Sequence, residues 1–415
     1  MGNTELAKSQ RNTVSERATG LDPGLALLNS ILDSARKLEA SAVHLYLQPS
    51  SNSCFFEVAG KLQPTGKKLN NKVIEELAGY VKLSANLEAS DLSHIQTSIL
   101  ELDNYGRINT SLISSPELGK SHLILFLSGT TNPKELDDLG FWGRSLELLE
   151  SALDHKKGII LFDSTDRYAL RTIINSSLYY LDKHQSLTSI SFDSSLMPDT
   201  PSPKLDRIYT AINAGSIGLA KKVLSTCPAV VVFQDTLNAA TLQLALERSE
   251  SGSLVFIATS EGSVSVAIRK ALSYSPDIAR SLSLVVSASQ IQTITNSNGS
   301  HPLTAETISQ IENYFQIDLP NSWRSIYAHA GIKSPADLLS LDFPVASEYR
   351  GVTNLVEAFK PSEDIGRIIN RNPDLSESTL QSIAIRSGML TKKEDGLIKA
   401  LRKEVDLADV IDTCK

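Results

Sequence analysis

Cysteine and long apolar runs are both scarce in this 415-residue sequence. Its three cysteines, Cys54, Cys227 and Cys414, stand far apart, so they predict neither a disulfide framework nor a zinc site. No run approaches the roughly 20 apolar residues that cross a bilayer, so no membrane insertion is expected. The first residues also lack the apolar segment of a secretion signal. These absences predict a cytoplasmic protein.

An excess of positive charge is missing as well. Lys and Arg number 40 against 47 Asp and Glu, which gives a net charge of −7. A nucleic-acid-binding surface favours net positive charge, so nucleic acid is not the expected partner. The seven histidines form no HExxH pattern, and no G-x-S-x-G occurs, so neither metal chemistry nor a hydrolase triad is indicated.

What the sequence does contain is the patterning of a folded α/β protein with more than one domain. Apolar residues make up 41 % of the chain, which excludes a mostly disordered protein. After a polar tail at 1–22, which is expected to be disordered, helical and alternating patterns predict a small α+β domain. From about residue 135, short apolar runs alternate with helical periods, which predicts a mostly parallel sheet covered on both faces. The segments 193–205 and 292–304 are predicted to be loops, and 362–411 is predicted to be helical.

The first strand-to-helix turn of the second unit is the expected ligand site, because helix N-termini present free N–H groups there. A phosphate-binding P-loop would read GxxxxGK[ST]. Here the turn after Gly158–Phe162 has no further glycine and carries Asp163 and Asp166, which would repel a triphosphate. Arg167 and Arg171 offset part of that charge. Two interpretations therefore stand, a weak anion site and a plain surface loop.

A second candidate is Asp235, which ends the apolar strand that begins at Ala229. In P-loop enzymes a carboxylate at this place holds metal-bound water or acts as a base. The alternative is that Asp235 caps the next helix.

Several segments together resemble one family, the hexameric motor ATPases of type II secretion and type IV pilus assembly (the GspE/PilB group). Ala40–Leu45 is similar to the family's "GASDIHIEP", and Asn104–Arg107 to "QDGR". The resemblance continues through four further segments: Leu136–Phe141 (the interdomain linker), Cys227–Asp235 ("DPDVIMVGE"), Tyr349–Gly351 ("GYKGR") and Gly388–Leu401 ("GMLTLREDGLLKAL"). It covers about 22–411 and depends on shared order and spacing rather than on any single motif.

The resemblance implies a fold and a set of domains. The fold is a small α+β N-terminal domain followed by a RecA-like, P-loop-type domain with a mostly parallel sheet and a C-terminal helical region. The implied boundaries are a tail at 1–22, the N-terminal domain at 23–130, a linker and helix at 131–154, the RecA-like core at 155–300 and a helical C-terminal subdomain without zinc cysteines at 301–415.

The departures from the family fall on its catalytic positions. Leu170 stands where the Walker A lysine is expected and Arg171 where its hydroxyl residue is expected. The positions that would bind nucleotide in an intact member are Ser164, Thr165, Asp166, Arg167, Leu170, Arg171 and Thr172. The Walker B glycine–glutamate pair becomes Gln234–Asp235, and the family's later arginine and histidine become Leu237 and Ser260.

A chain that keeps the pattern of the fold while losing these groups is expected to be a pseudo-ATPase, a structural or regulatory subunit of pilus or secretion machinery. The resemblance implies an intact motor or further copies of itself as ring partners, and an inner-membrane platform protein. Two alternatives remain open: a working ATPase with a noncanonical P-loop that binds ATP and Mg²⁺ through Asp235 and an arginine, and an adaptor repurposed for another partner.

Overall fold

A computed structural model gives the fold of the chain as two compact units, Met1–Leu127 and Ser128–Lys415. The residues that the structure describes are 23–65, 69–88, 95–115, 118–127, 134–185, 187–193, 205–208, 212–213, 215–235, 237–302 and 342–414. The polar tail at 1–22 and most of the loop predicted at 193–205 therefore lie outside the described residues.

The first unit is an antiparallel sheet of six strands with two helices. Its elements are helices α1 (Pro23–Lys37) and α2 (Asn71–Ser84) and strands β1 (Ala42–Leu47), β2 (Ser53–Val58), β3 (Lys61–Pro64), β4 (Gln96–Leu102), β5 (Gly106–Ser115) and β6 (Lys120–Phe126). The strands lie in the order β3-β2-β1-β6-β5-β4. Because side chains alternate along a strand, Val43 and Leu45 are buried on one face while His44 and Tyr46 lie on the other.

The second unit is an α/β unit with a seven-stranded sheet. Its elements are α3 (Gly143–Asp154), β7 (Gly158–Asp163), α4 (Arg167–Gln185), β8 (Ser189–Phe192), β9 (Leu205–Ile208), α5 (Ile217–Leu224), β10 (Val230–Phe233), α6 (Ala239–Glu250), β11 (Leu254–Thr259), α7 (Val264–Tyr274), α8 (Ile278–Ser281), β12 (Leu282–Pro302), β13 (Asp342–Phe359), α9 (Glu363–Arg371), α10 (Glu377–Arg386), α11 (Lys392–Leu401) and α12 (Leu407–Thr413). The strand order is β13-β12-β7-β11-β10-β8-β9, and β13 alone pairs antiparallel.

Two apolar cores cover the two faces of this sheet, as the short apolar runs of the sequence predict. Ile159 and Leu161 of β7 belong to one core, and Ile160 and Phe162 belong to the other. Strand β7 lies inside the sheet, between β12 and β11. Its carboxyl end therefore opens beside the ends of its parallel neighbours, which is where an α/β sheet places its ligand site.

Two expectations for the C-terminal third need correction. The loop predicted at 292–304 is wrong for its described part, because β12 continues to Pro302 and pairs with β13 as far as Asp342. The helical expectation holds for α9 to α12, but residues 342–359 form a strand of the same sheet. Within the described residues, no helix combines the length and apolar character needed to span a bilayer.

Candidate functional site

The turn between β7 and α4 is much shorter than a phosphate-binding loop. Strand β7 ends at Asp163 and α4 begins at Arg167, so only Ser164, Thr165 and Asp166 lie between them. In the glycine-rich pattern the corresponding backbone wraps around phosphate oxygens over six positions. Here positions 167–169 are already helical, so that part of the backbone cannot form such a cradle.

The N-terminus of α4 is occupied by a carboxylate of the chain itself. The Asp166 Oδ1 accepts hydrogen bonds from the backbone N–H of Tyr168 at 2.8 Å and of Ala169 at 3.2 Å. These are among the unpaired donors that every helix leaves at its start. A carboxylate there is also favoured by the helix dipole. Asp166 is therefore an N-cap, and it satisfies donors that a bound phosphate would otherwise use.

The residues at the lysine and hydroxyl positions are committed to the fold. Leu170 is 7 % exposed and packs in the core beneath α4. The guanidinium of Arg171 forms an ion pair with the buried Asp193, which follows β8. The Thr172 hydroxyl donates to the Tyr168 carbonyl at 2.9 Å within the helix. Arg167 is the cation of this turn whose side chain is exposed.

Asp163 does not face an open phosphate site either, because it is 1 % exposed and surrounded by donors. Its Oδ1 accepts from the Glu261 N–H at 2.6 Å, and its Oδ2 accepts from the Ser287 hydroxyl at 2.5 Å. Burial raises the pKa of the Asp163 carboxyl, and these hydrogen bonds oppose the shift. The carboxylate thereby joins the end of β7 to the turn after β11 and to β12.

A buried lysine that sequence reasoning missed lies in the same cluster. The Lys392 Nζ donates to the Gly262 carbonyl at 2.8 Å. Burial lowers the pKa of Lys392, and the negative charges of Glu357 and Asp163 oppose that shift. The one local signal was its position in the first turn of α11, where the helix dipole disfavours a cation. Lys392 therefore compensates two buried carboxylates instead of replacing the Walker lysine.

The Walker B positions lie at the end of β10. Gln234 is buried, and its Nε2 donates to the Ser191 hydroxyl of β8 at 3.1 Å. Asp235 follows it and is partly exposed. The alternative interpretation of Asp235 as a helix cap is wrong, because the Asn238 Oδ1 accepts from the Thr241 N–H and caps α6. Among the described residues, no group of three or more His, Cys, Asp or Glu could hold a metal ion.

Comparisons with known proteins establish the fold. No protein-family model and no curated protein matches the sequence. The ATPase DotB of Legionella pneumophila superimposes with a TM-score of 0.63 at 13 % identity, covering 95 % of this chain and 96 % of DotB. DotB of Yersinia pseudotuberculosis gives 0.61 at 12 % identity, covering 93 % of this chain and 91 % of that one.

The pilus retraction motor PilT, solved with bound ADP, superimposes with a TM-score of 0.58 at 15 % identity. The match covers 92 % of this chain and 96 % of PilT. The expected fold, an N-terminal α+β domain followed by a RecA-like α/β core, is thereby confirmed. Identities this low carry the fold and not the chemistry.

Proposed function

We propose that this chain is a pseudo-ATPase that acts as a structural or regulatory subunit of pilus or secretion machinery. The observation that carries the proposal is the Asp166 carboxylate, which caps α4 where a phosphate would bind. A triphosphate approaching this turn would meet a negative charge and donors already in use. The likeness to DotB and PilT supports the motor-type fold for the rest of the chain.

Too many catalytic groups are missing for a single substitute side chain to restore ATP hydrolysis. A preorganised cation or donor at a transferring phosphoryl group contributes about 10²–10³ in rate. At the lysine position Leu170 is buried in the core, and at the hydroxyl position Arg171 is paired with Asp193. A working ATPase would therefore have to use Arg167 and Asp235 without a glycine cradle.

In the proposed role the chain provides binding surfaces for other subunits and does not supply energy from ATP hydrolysis. Partners would be an intact motor ATPase, or further copies of this chain, in a ring, together with a platform protein of the inner membrane. The net charge of −7 gives no attraction to anionic lipid, so the proposed membrane association is through proteins from the cytoplasm.

Calorimetric titration with Mg-ATP and Mg-ADP tests the nucleotide half of the proposal. We expect no saturable heat at millimolar nucleotide, whereas an intact motor from the same cell, measured in parallel, should bind. Magnesium-dependent ATP turnover by the purified chain, abolished by Asp235→Asn, would contradict the proposal and favour the noncanonical ATPase.

Affinity capture with the tagged full-length chain tests the partner half. An intact motor or a platform protein should co-purify with it from its own cells, and an unrelated tagged protein should retain neither. Recovery of neither would contradict the ring and platform partners and favour the repurposed adaptor.

A further inference from the structure

A cavity of about 220 Å³ lies in the second unit, and its lining residues come from 142–148, 356–358 and 388–395 rather than from the turn between β7 and α4. It is bounded by the start of α3, by β13 and by the connection from α10 to α11. Most of its wall is apolar and comes from Trp142, Leu148, Val356, Ala358 and Leu390. An apolar void of about 150 Å³ is already enough to bind benzene. This cavity therefore has room for one side-chain-sized apolar group.

The aromatic wall of the cavity is fixed by hydrogen bonds. The Trp142 Nε1 donates to the Asp395 Oδ1 at 2.6 Å. The Arg402 guanidinium lies 4.2 Å from the centre of the indole ring. Because the ring is held at its nitrogen and covered on one face, the wall is formed before any ligand arrives, and preorganisation of this kind lowers the cost of binding.

The charge at the cavity favours an anion. Arg144 lines it with an exposed side chain, and its Nη2 donates to the Ser387 carbonyl at 2.7 Å. In the described part of the chain no carboxylate forms an ion pair with Arg144. Asp395 also lines the cavity, but both of its oxygens are engaged, Oδ1 by Trp142 and Oδ2 by Val356 N–H and by Lys399.

Gly388 makes room for the guanidinium. Its φ is +86°, and a Cβ built there would lie 2.1 Å from Arg144 Nη1. A side chain at this position would therefore displace the arginine and would also be strained in the left-handed region. The glycine at position 388 thus allows the Arg144 guanidinium to lie beside the apolar cavity.

We infer that this cavity binds an apolar group of side-chain size that carries a carboxylate, with the apolar part against Trp142 and the carboxylate on Arg144. The inference goes beyond the proposed function and does not depend on it. The same chemistry is offered by a small free carboxylic acid and by the C-terminal residue of a peptide.

Calorimetry on the full-length chain with two matched probes tests the site. N-acetyl-phenylalanine carries the carboxylate, and N-acetyl-phenylalanine amide has the same shape without the charge. Because Arg144 is exposed, solvent screens its attraction for a carboxylate, so the acid should bind about threefold to fivefold more tightly than the amide. A peptide ending in phenylalanine, tested with a free and an amidated C-terminus, distinguishes the peptide source from the free acid.

Arginine variants assign the charge. In Arg144→Gln the affinity for the acid should fall to that for the amide. In Arg144→Lys the acid should still bind more tightly than the amide, but by a smaller factor. Arg371→Gln, which removes an exposed cation from α9, should leave binding unchanged. Thermal melts of each variant check the fold.

Three results would overturn the inference. They are the absence of saturable binding of either probe, equal affinities for acid and amide, and displacement of the acid by acetate, which would indicate an adventitious ion only. Displacement by adenosine would assign the cavity to a nucleoside and would also contradict it.

Discussion

Asp166 shows how one side chain can decide what a helix N-terminus binds. Its Oδ1 accepts hydrogen bonds from two backbone N–H groups of α4, so a carboxylate of the chain occupies the place where an external anion would bind. Aspartate is among the residues that helices favour at this place, because its carboxylate satisfies donors left free by the helix geometry. The sequence places Asp166 in the turn and suggests that it would repel a triphosphate. The structure shows in addition that Asp166 caps α4.

Asp166→Ala should lower the free energy of unfolding of the second unit by about 1 kcal/mol, because two helix donors lose their acceptor. Asp166→Asn retains a side-chain oxygen and should cost less. Urea denaturation followed by circular dichroism measures both. An alanine variant as stable as the parent would mean that the cap contributes little.

A second residue-scale feature is a histidine pair in the first unit. His44 Nδ1 and His122 Nε2 lie 2.9 Å apart, and His44 Nε2 lies 2.9 Å from Glu57 Oε2. Tyr46 stacks on the His122 ring, with 4.1 Å between ring centres. Burial, together with the nearby charge of His44, lowers the pKa of His122 from 6.5 to about 4.

This shift predicts a loss of stability on acidification. Between pH 6.5 and 4 the unfolded chain takes up a proton at His122 that the folded chain does not, so the folded state becomes less favoured as pH falls. Because His122 is partly exposed, we expect roughly 1 kcal/mol between pH 7 and 5. His122→Gln should flatten this dependence, and His155→Gln, at an exposed position, should not. Urea midpoints at the two pH values provide the measurement.

The window stops at pH 5 because Glu57 titrates below it. The hydrogen bond from His44 lowers the pKa of Glu57 below its ordinary 4.5, so Glu57 adds its own loss of stability in more acid solution. An unchanged slope in His122→Gln would show that another group carries the pH dependence.

At the scale of elements, helix α11 joins the segment before α3 to strand β13. Lys399 is 1 % exposed, and its Nζ donates to Asp395 Oδ2 at 2.7 Å and to the Gly140 carbonyl at 2.8 Å. It also donates to the Asn354 carbonyl of β13. Gly140 itself has φ +87°, and a Cβ there would lie 2.2 Å from the Thr353 hydroxyl. One buried lysine thus holds three segments that are far apart in the sequence.

Lys399→Met should reduce the free energy of unfolding of the second unit by about 3–5 kcal/mol, because it leaves the Asp395 carboxylate buried without its cation. Lys221→Met breaks an exposed ion pair with Glu247 and should cost less than about 1 kcal/mol. Chemical denaturation compares the two. Equal effects would mean that burial adds nothing to the Lys399 pair.

At the scale of elements, the local sequence pattern predicts the wrong structure for the end of strand β12. Its last third reads TNSNGSHP, which is rich in residues that favour loops, and the sequence predicts a loop there. Those residues are nevertheless extended, because they pair with β13, which begins forty residues further along the chain. A pairing partner so distant leaves no signal in the segment itself.

At the scale of the whole molecule, each unit has its own apolar interior. The first unit buries Leu45 and Phe56 of its antiparallel sheet, and the second buries Val255 and Phe256 of its parallel sheet. Large chains with separate cores commonly unfold in more than one step.

Leu45→Ala should therefore destabilise the first unit by about 2–5 kcal/mol and leave the unfolding of the second nearly unchanged. Val255→Ala should do the reverse, with a smaller effect because fewer atoms are removed. Scanning calorimetry resolves the two transitions. A single transition that both variants shift equally would show that the units unfold together.

The sequence by itself determined the class of fold and the loss of the phosphate-binding pattern. Both depend on local information, since apolar periodicity sets helices and strands, and a missing glycine or lysine is visible in the sequence. Only the tertiary structure decided what replaced the missing groups. Arg171 forms an ion pair with Asp193, and the buried charge of Lys392 acts on those of Asp163 and Glu357. These residues are distant in sequence, and they come together only because the sheet brings strand ends and helix starts to one place.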